Sequence, residues 1–157
     1  MPSSSRPPEP TLSIAFSNVA HLFTHALTIL YATAVLYLPQ EFGLPYGEML
    51  GLSSVGLILF GVGSLPAGWI GDRWSQVGMI VIFFLGAGAS AIVIGTAKSV
   101  PALFIGLSFV GLFASIYHPI GIAWLVACAR KQGMTLGINA VFGGLGSAIA
   151  PVFVGIM

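Results

Sequence analysis

The chain has 157 residues, 57% of them hydrophobic and only 6% charged, with a mean hydropathy of +1.02. Soluble domains carry about 25% charged residues, so this composition excludes a water-soluble globular domain and describes a polytopic membrane protein whose first partner is lipid. A formal net charge of +1 without a basic cluster excludes nucleic acid as a partner, and the single cysteine, Cys128, excludes an internal disulfide framework and a multi-cysteine metal site.

Residues 1–10 are rich in Ser and Pro and read as a flexible tail. The apolar run that follows, Leu12 to Leu38, is far longer than the roughly 7–15 residues of a signal-peptide core. A helix needs about 20 apolar residues to cross the hydrocarbon. That ruler divides residues 11–157 into five spans, 11–38, 47–70, 77–97, 102–127 and 133–157, joined by short breaks that make neighbours antiparallel. Basic residues set the orientation. With the N-terminus in the cytoplasm, Arg6, Arg73, Arg130 and Lys131 lie inside and only Lys98 lies outside. The expected location is the cell (inner or plasma) membrane.

Span one carries a polar stripe. Asn18, His21, His25 and Thr28 are spaced three, four and three apart, on one helix face, and Ser17, Thr24 and Tyr31 widen it. Polar groups avoid lipid, so this face looks into the protein or a water-filled cavity. It either lines a transport path or ties the bundle together by interhelical hydrogen bonds. His21 and His25 also have the i, i+4 spacing of paired metal ligands. No acid or cysteine sits at comparable depth to complete a site, so no metal and no cofactor are expected.

In span two, Gly63, Ala67 and Gly71, and likewise Ser64 and Gly68, recur every fourth residue and predict close helix contact. Pro66 removes a backbone donor and predicts a kink. The span ends at Asp72-Arg73, where charge leaves the hydrocarbon. Span three has no charged side chain and a small-residue band from Gly86 to Ala91, and it is the expected lipid-facing helix. Span four repeats the polar spacing with Ser108, Gly111, Ser115 and His118. Pro119 frees a carbonyl one turn back, near Ser115. Span five adds Asn139 to the expected cavity lining and a run of small residues around Gly137, Gly146, Pro151 and Gly155.

These features carry a resemblance. Gly68-Trp-Ile-Gly-Asp72-Arg73 resembles the loop signature between helices two and three of the major facilitator superfamily, usually Gly-x-x-x-Asp-Arg-x-Gly followed by basic residues. Here Ser75 stands for the second glycine, and Gln76 and Val77 stand for basic residues. The spacing Gly137, Gly146, Ala150-Pro151, Val154-Gly155 is similar to the antiporter signature of helix five, with Ala150 and Val154 in place of glycines. The Tyr117-His118-Pro119-Ile120-Gly121 run resembles the His-Pro segment of the fosmidomycin-resistance branch.

The resemblance implies an all-α fold of two six-helix halves, of which this chain supplies about five spans, an incomplete N-terminal half. Because the chain stops at Met157 inside apolar sequence, the missing C-terminal half or another copy is an expected partner. The implied activity is secondary active export of a small organic molecule, coupled to protons, by alternating access, and not an enzyme reaction. Asn18, His21, His25, Thr28, Ser108, Ser115, His118 and Asn139 would line the substrate and proton path. Gly68, Asp72 and Arg73 would form the gating loop, and Gly137, Gly146, Pro151 and Gly155 the packed, kinked helix five. Superfamily members often carry an arginine one turn before a characteristic glycine of span four. If that glycine is Gly111, the position holds Leu107, and His118 is left to titrate instead. The alternative is a non-transporting membrane fragment or a subunit of a helical membrane assembly.

The orientation has a built-in probe. Cys128, beside Arg130 and Lys131, should react with a membrane-impermeant thiol reagent in inside-out vesicles and not in intact cells. Labelling from outside in intact cells would reverse the topology.

Overall fold

The computed structural model describes residues 10–156. The expected tail lies outside the described residues except for Pro10, which opens the first helix, and Met157 lies outside them as well. The order is α1 (Pro10–Ala34), α2 (Leu38–Phe42), α3 (Tyr46–Gly51), α4 (Ser54–Arg73), α5 (Gln76–Gly95), α6 (Val100–Ala114), α7 (Tyr117–Cys128) and α8 (Gln132–Ile156). Among the described residues there is no strand. Five helical stretches are long and apolar enough to cross a membrane, with α3–α4 and α6–α7 each counting as one span.

The differences from the expected spans have local causes. The break expected from Pro39 to Tyr46 holds a short helix, because Pro39 suits a first helical turn and Gly43, at φ 67°, ends it in the left-handed conformation. Span two is interrupted between α3 and α4, where Leu52 and Ser53 donate to carbonyls only three residues back. Span four is interrupted at Ser115-Ile116. Pro119 cannot donate to the Ser115 carbonyl, and the chain tightens there through a bond from the Ile116 amide to the Phe113 carbonyl. α4 and α8, by contrast, run through Pro66 and Pro151 without a break. Serine caps start α5 and α6: Ser75 accepts from the Gly78 amide at 3.0 Å and Ser99 from the Ala102 amide at 3.4 Å.

α1 is the centre of the arrangement, packed most extensively on α8 and next on α7, while α6 lies between α5 and α4. Two of these contacts are backbone-close. A Cβ on Gly146 would collide with the Leu22 backbone of α1, and one on Gly111 with the Gly56 backbone of α4. The small face of α4 is used as expected, with Gly63 against Ser115, Gly68 against Pro119 and Gly71 against Ile120. Apolar packing divides into two clusters. One, around Phe83, Tyr117 and Ile120, includes Ala67 and Trp124 and lies toward the end that carries Asp72 and Cys128; the other, around Tyr31, Met49 and Leu103, lies toward the end that carries Glu41 and Lys98. Tyr31 also donates to the Met49 carbonyl, which ties α3 to α1.

Exposure is uneven among the spans. Span two is the least covered of the five, with Leu57, Leu65 and Trp69 exposed, whereas α5 buries Phe83, Ala87 and Ser90. The small-residue band of α5 is a packing surface: the Phe113 ring of α6 sits over Gly86.

The Gly56–Gly111 crossing leaves no room for a side chain. Gly111→Val should lower stability by about 1–3 kcal/mol, the usual cost of overpacking, read as a lower thermal midpoint in detergent. Gly155→Ala, at a glycine with no neighbour within 4 Å of a built Cβ, should leave it unchanged.

Candidate functional site

The polar faces of α1, α7 and α8 meet in the interior. Ser17, Asn18 and His21 of α1, Tyr117 of α7 and Asn139 of α8 are all buried. In a bilayer such groups must find partners inside the protein, and here they find one another. Asn139 Nδ2 donates to Asn18 Oδ1 at 3.0 Å, and the Tyr117 phenol oxygen lies 2.9 Å from Asn139 Nδ2 and 3.1 Å from its Oδ1. Ser17 Oγ donates to the Gly121 carbonyl at 2.9 Å, joining α1 to α7.

His21 sits at the junction. Its Nδ1 lies 2.8 Å from the Asn139 carbonyl oxygen. A carbonyl only accepts, so Nδ1 carries the hydrogen and Nε2 carries the lone pair. The ring stacks on Tyr117 with centroids 4.9 Å apart and planes 25° from parallel. Gly143 of α8 makes room for it: a Cβ there would stand 2.7 Å from His21 Nε2. One turn along α1, His25 Nε2 lies 3.1 Å from His21 Nε2. His118 of α7 meets both rings edge-on, at centroid distances of 5.6 Å to His21 and 5.7 Å to His25. One nitrogen from each of the three imidazoles falls within 4.8 Å of the others.

The break in span four places His118. It lies in the first turn of α7, just past Ser115-Ile116, and the carbonyl that Pro119 leaves free at Ser115 has Ser64 Oγ of α4 at 3.2 Å. Phe60 of α4 packs edge-on against His118 at 5.7 Å and also lines a cavity of about 200 Å³ together with Thr28, Tyr31, Val110 and Gly111. Through Phe60 the histidine cluster adjoins this half-open space between α1, α4 and α6.

Of the expected path residues, the structure brings together Asn18, His21, His25, His118 and Asn139. Thr28 lines the adjoining cavity while its hydroxyl bonds back to Thr24 and His25 carbonyls. Ser108 and Ser115 bond to their own helix, at Phe104 and Leu112. Ser115 is buried against Gly63 rather than in the cluster. In the expected gating loop, Asp72 and Arg73 are exposed, and the Arg73 guanidinium lies over the Trp69 ring, 4.2 Å from its centroid. Gly68 abuts Pro119, with 3.3 Å from a built Cβ. Of the helix-five set, Gly146 is a close-approach glycine, whereas Gly137 and Gly155 have no neighbour within 4 Å of a built Cβ and Pro151 is exposed.

Sequence reasoning missed Tyr117 and Gly143 as parts of the site. Gly143 had a readable signal, since Asn139, Gly143 and Gly146 follow at four and three residues on one face of α8. It also overlooked His118 as a third ligand-type side chain beside His21 and His25.

The family model described as Major Facilitator Superfamily matches residues 15–157. No curated protein matches the chain.

Asn139 is the polar hub of this site. Asn139→Leu removes its bonds and leaves buried Asn18 and Tyr117 without them, which should cost about 1–3 kcal/mol and lower the thermal midpoint in detergent. Ser108→Ala, which loses only a bond to its own helix, should stay within about 0.5 kcal/mol of the parent.

Proposed function

The chain belongs to the Major Facilitator Superfamily, and on that premise we propose that it works as part of a secondary active transporter that exports a small organic molecule in exchange for protons. The superfamily consists of transporters rather than enzymes, and five apolar spans make this a multi-pass membrane protein. The observation that carries the proposal is the convergence of His21, His25 and His118 beside a half-open cavity, in described spans that carry no other ionisable side chain besides tyrosine away from their ends. Ionisable groups at membrane depth are costly and mark substrate or ion paths.

In this reading the cavity by Thr28 and Phe60 belongs to the substrate path, and the histidines carry protons, because imidazole changes charge nearest physiological pH. His118 accepts a proton when the cavity opens to an acidic outside and gives it up when the cavity opens to the cytoplasm. The break beside it lets α7 move relative to α6 as the protein rocks between the two states. Asp72, Arg73 and Gly68 form the gating loop, with the N-terminus cytoplasmic in the cell membrane. Substrate sites in this superfamily lie between two six-helix halves, so the other half or a second copy completes the site. The Tyr117-His118-Pro119 run supports placing the chain near the fosmidomycin-resistance branch.

The test is transport into sealed vesicles by the protein together with its partner half, under an imposed pH gradient. His118→Gln keeps a hydrogen-bonding side chain and removes titration. It should keep substrate binding but abolish the dependence of transport on the gradient. A Gln variant that still moves substrate in proportion to the gradient would overturn the proton reading.

A further inference from the structure

We propose that His21, His25 and His118 form a binding site for a late first-row divalent cation of the Zn²⁺ class, held by three imidazole nitrogens. The inference uses the same cluster as the transport proposal but does not depend on its transport role, because a bound ion and a proton compete for the same imidazole nitrogens.

The donor set is the first argument. Three neutral imidazoles with open remaining positions are a familiar donor set for Zn²⁺, which bonds histidine nitrogen at about 2.0–2.1 Å. Tetrahedral geometry at that bond length places nitrogens about 3.3–3.4 Å apart. The His21 and His25 Nε2 atoms already lie 3.1 Å apart, and an ion would replace the hydrogen of that contact as the His25 proton moves to Nδ1. The widest separation in the set is 4.8 Å and involves His118, so a bound ion would draw the His118 nitrogen in by about 1.5 Å.

The second argument is the support behind His21. A metal-ligating histidine almost always donates its other N–H to a carboxylate, a backbone carbonyl or water, which fixes the tautomer and turns the lone pair to the metal. His21 does this: Nδ1–H donates to the Asn139 carbonyl at 2.8 Å, and Nε2 faces His25. Tyr117 stacks on one side of the ring and Gly143 leaves space beside Nε2, so the ring is held in that orientation before any ion arrives. Imidazole donors select Zn, Cu, Ni or Co rather than Mg or Ca, which prefer oxygen.

The third argument is access. Phe60 packs edge-on against His118 and also lines the adjoining half-open cavity, which is the side from which water or an oxygen donor of a bound solute would reach the ion. Among the described residues the carboxylates Glu41, Glu48 and Asp72 are exposed and lie toward the ends of the spans. The ion therefore keeps its charge and acts as a Lewis-acidic anchor for an anionic oxygen.

The test is equilibrium binding of Zn²⁺ and Co²⁺ to the full chain, purified without a histidine tag and held in lipid nanodiscs. The expected result is one saturable ion per chain and, with Co²⁺, the intense visible bands of tetrahedral coordination. His21→Ala, His25→Ala and His118→Ala should each weaken binding by about tenfold or more, while His118→Asp, which restores an oxygen ligand, should bind more tightly than His118→Ala. Circular dichroism of each variant without metal separates loss of a ligand from loss of fold, and any variant that misfolds is replaced by its Asp counterpart. Absence of a one-to-one site, or parent-like affinity in His118→Ala, overturns the proposal. The two readings fail separately: no metal binding with intact pH coupling removes only the metal site, and metal binding with pH-independent transport removes only the proton role.

Discussion

The bond from His21 Nδ1 to the Asn139 carbonyl, 2.8 Å long and buried between α1 and α8, is the constraint on which the interior of this bundle depends. Hydrocarbon offers polar groups no partners, so each must be met within the protein. By holding the His21 ring against α8, this bond also fixes which nitrogen faces inward. Everything else in the cluster is placed relative to that ring: Tyr117 stacked on it, His25 at hydrogen-bond distance and His118 edge-on.

The bond forms only because the backbones approach closely. Helices in lipid are not driven together by hydrophobicity, since lipid tails are as apolar as leucine, and association rests on packing and interhelical hydrogen bonds. Gly146 lets α8 reach the backbone of α1 at Leu22, and Gly143, one turn earlier, leaves space for the imidazole. On the other side of the bundle, Gly56 and Gly111 bring α4 and α6 together, and the carbonyl that Pro119 exposes is met from α4 by Ser64. Glycine contact and polar contact thus act as one system. The first allows the approach, and the second makes the approach specific.

Much of this was legible in the residues. The apolar runs define the five spans, because length and charge density leave few alternatives in a bilayer. The stripe Asn18, His21, His25 and the spacing that ends in His118 mark the inward faces of α1 and α7, and the small residues of span two mark its packing face. Three things were not legible. Periodicity shows which residues share a face of one helix, not which faces of different helices meet, so the convergence of His118 on the span-one pair and the central place of Asn139 emerge only in the fold. Serines on a polar stripe, such as Ser108 and Ser115, satisfy themselves by bonding to their own helix, which spacing cannot distinguish from lining a cavity. The packing role of the small-residue band in span three was not legible, because a run that looks featureless in sequence is where an aromatic ring, Phe113, finds space.

The chain contains only three histidines, so their mutual geometry can be read directly. Solid-state NMR on protein labelled with ¹⁵N-histidine in lipid bilayers tests the central claim that they share one buried site. The account predicts that His21 shows a protonated, hydrogen-bonded Nδ1 and a bare Nε2, and that through-space correlations link all three imidazoles. Three isolated imidazoles without such correlations, or a His21 protonated at Nε2 alone, would contradict it.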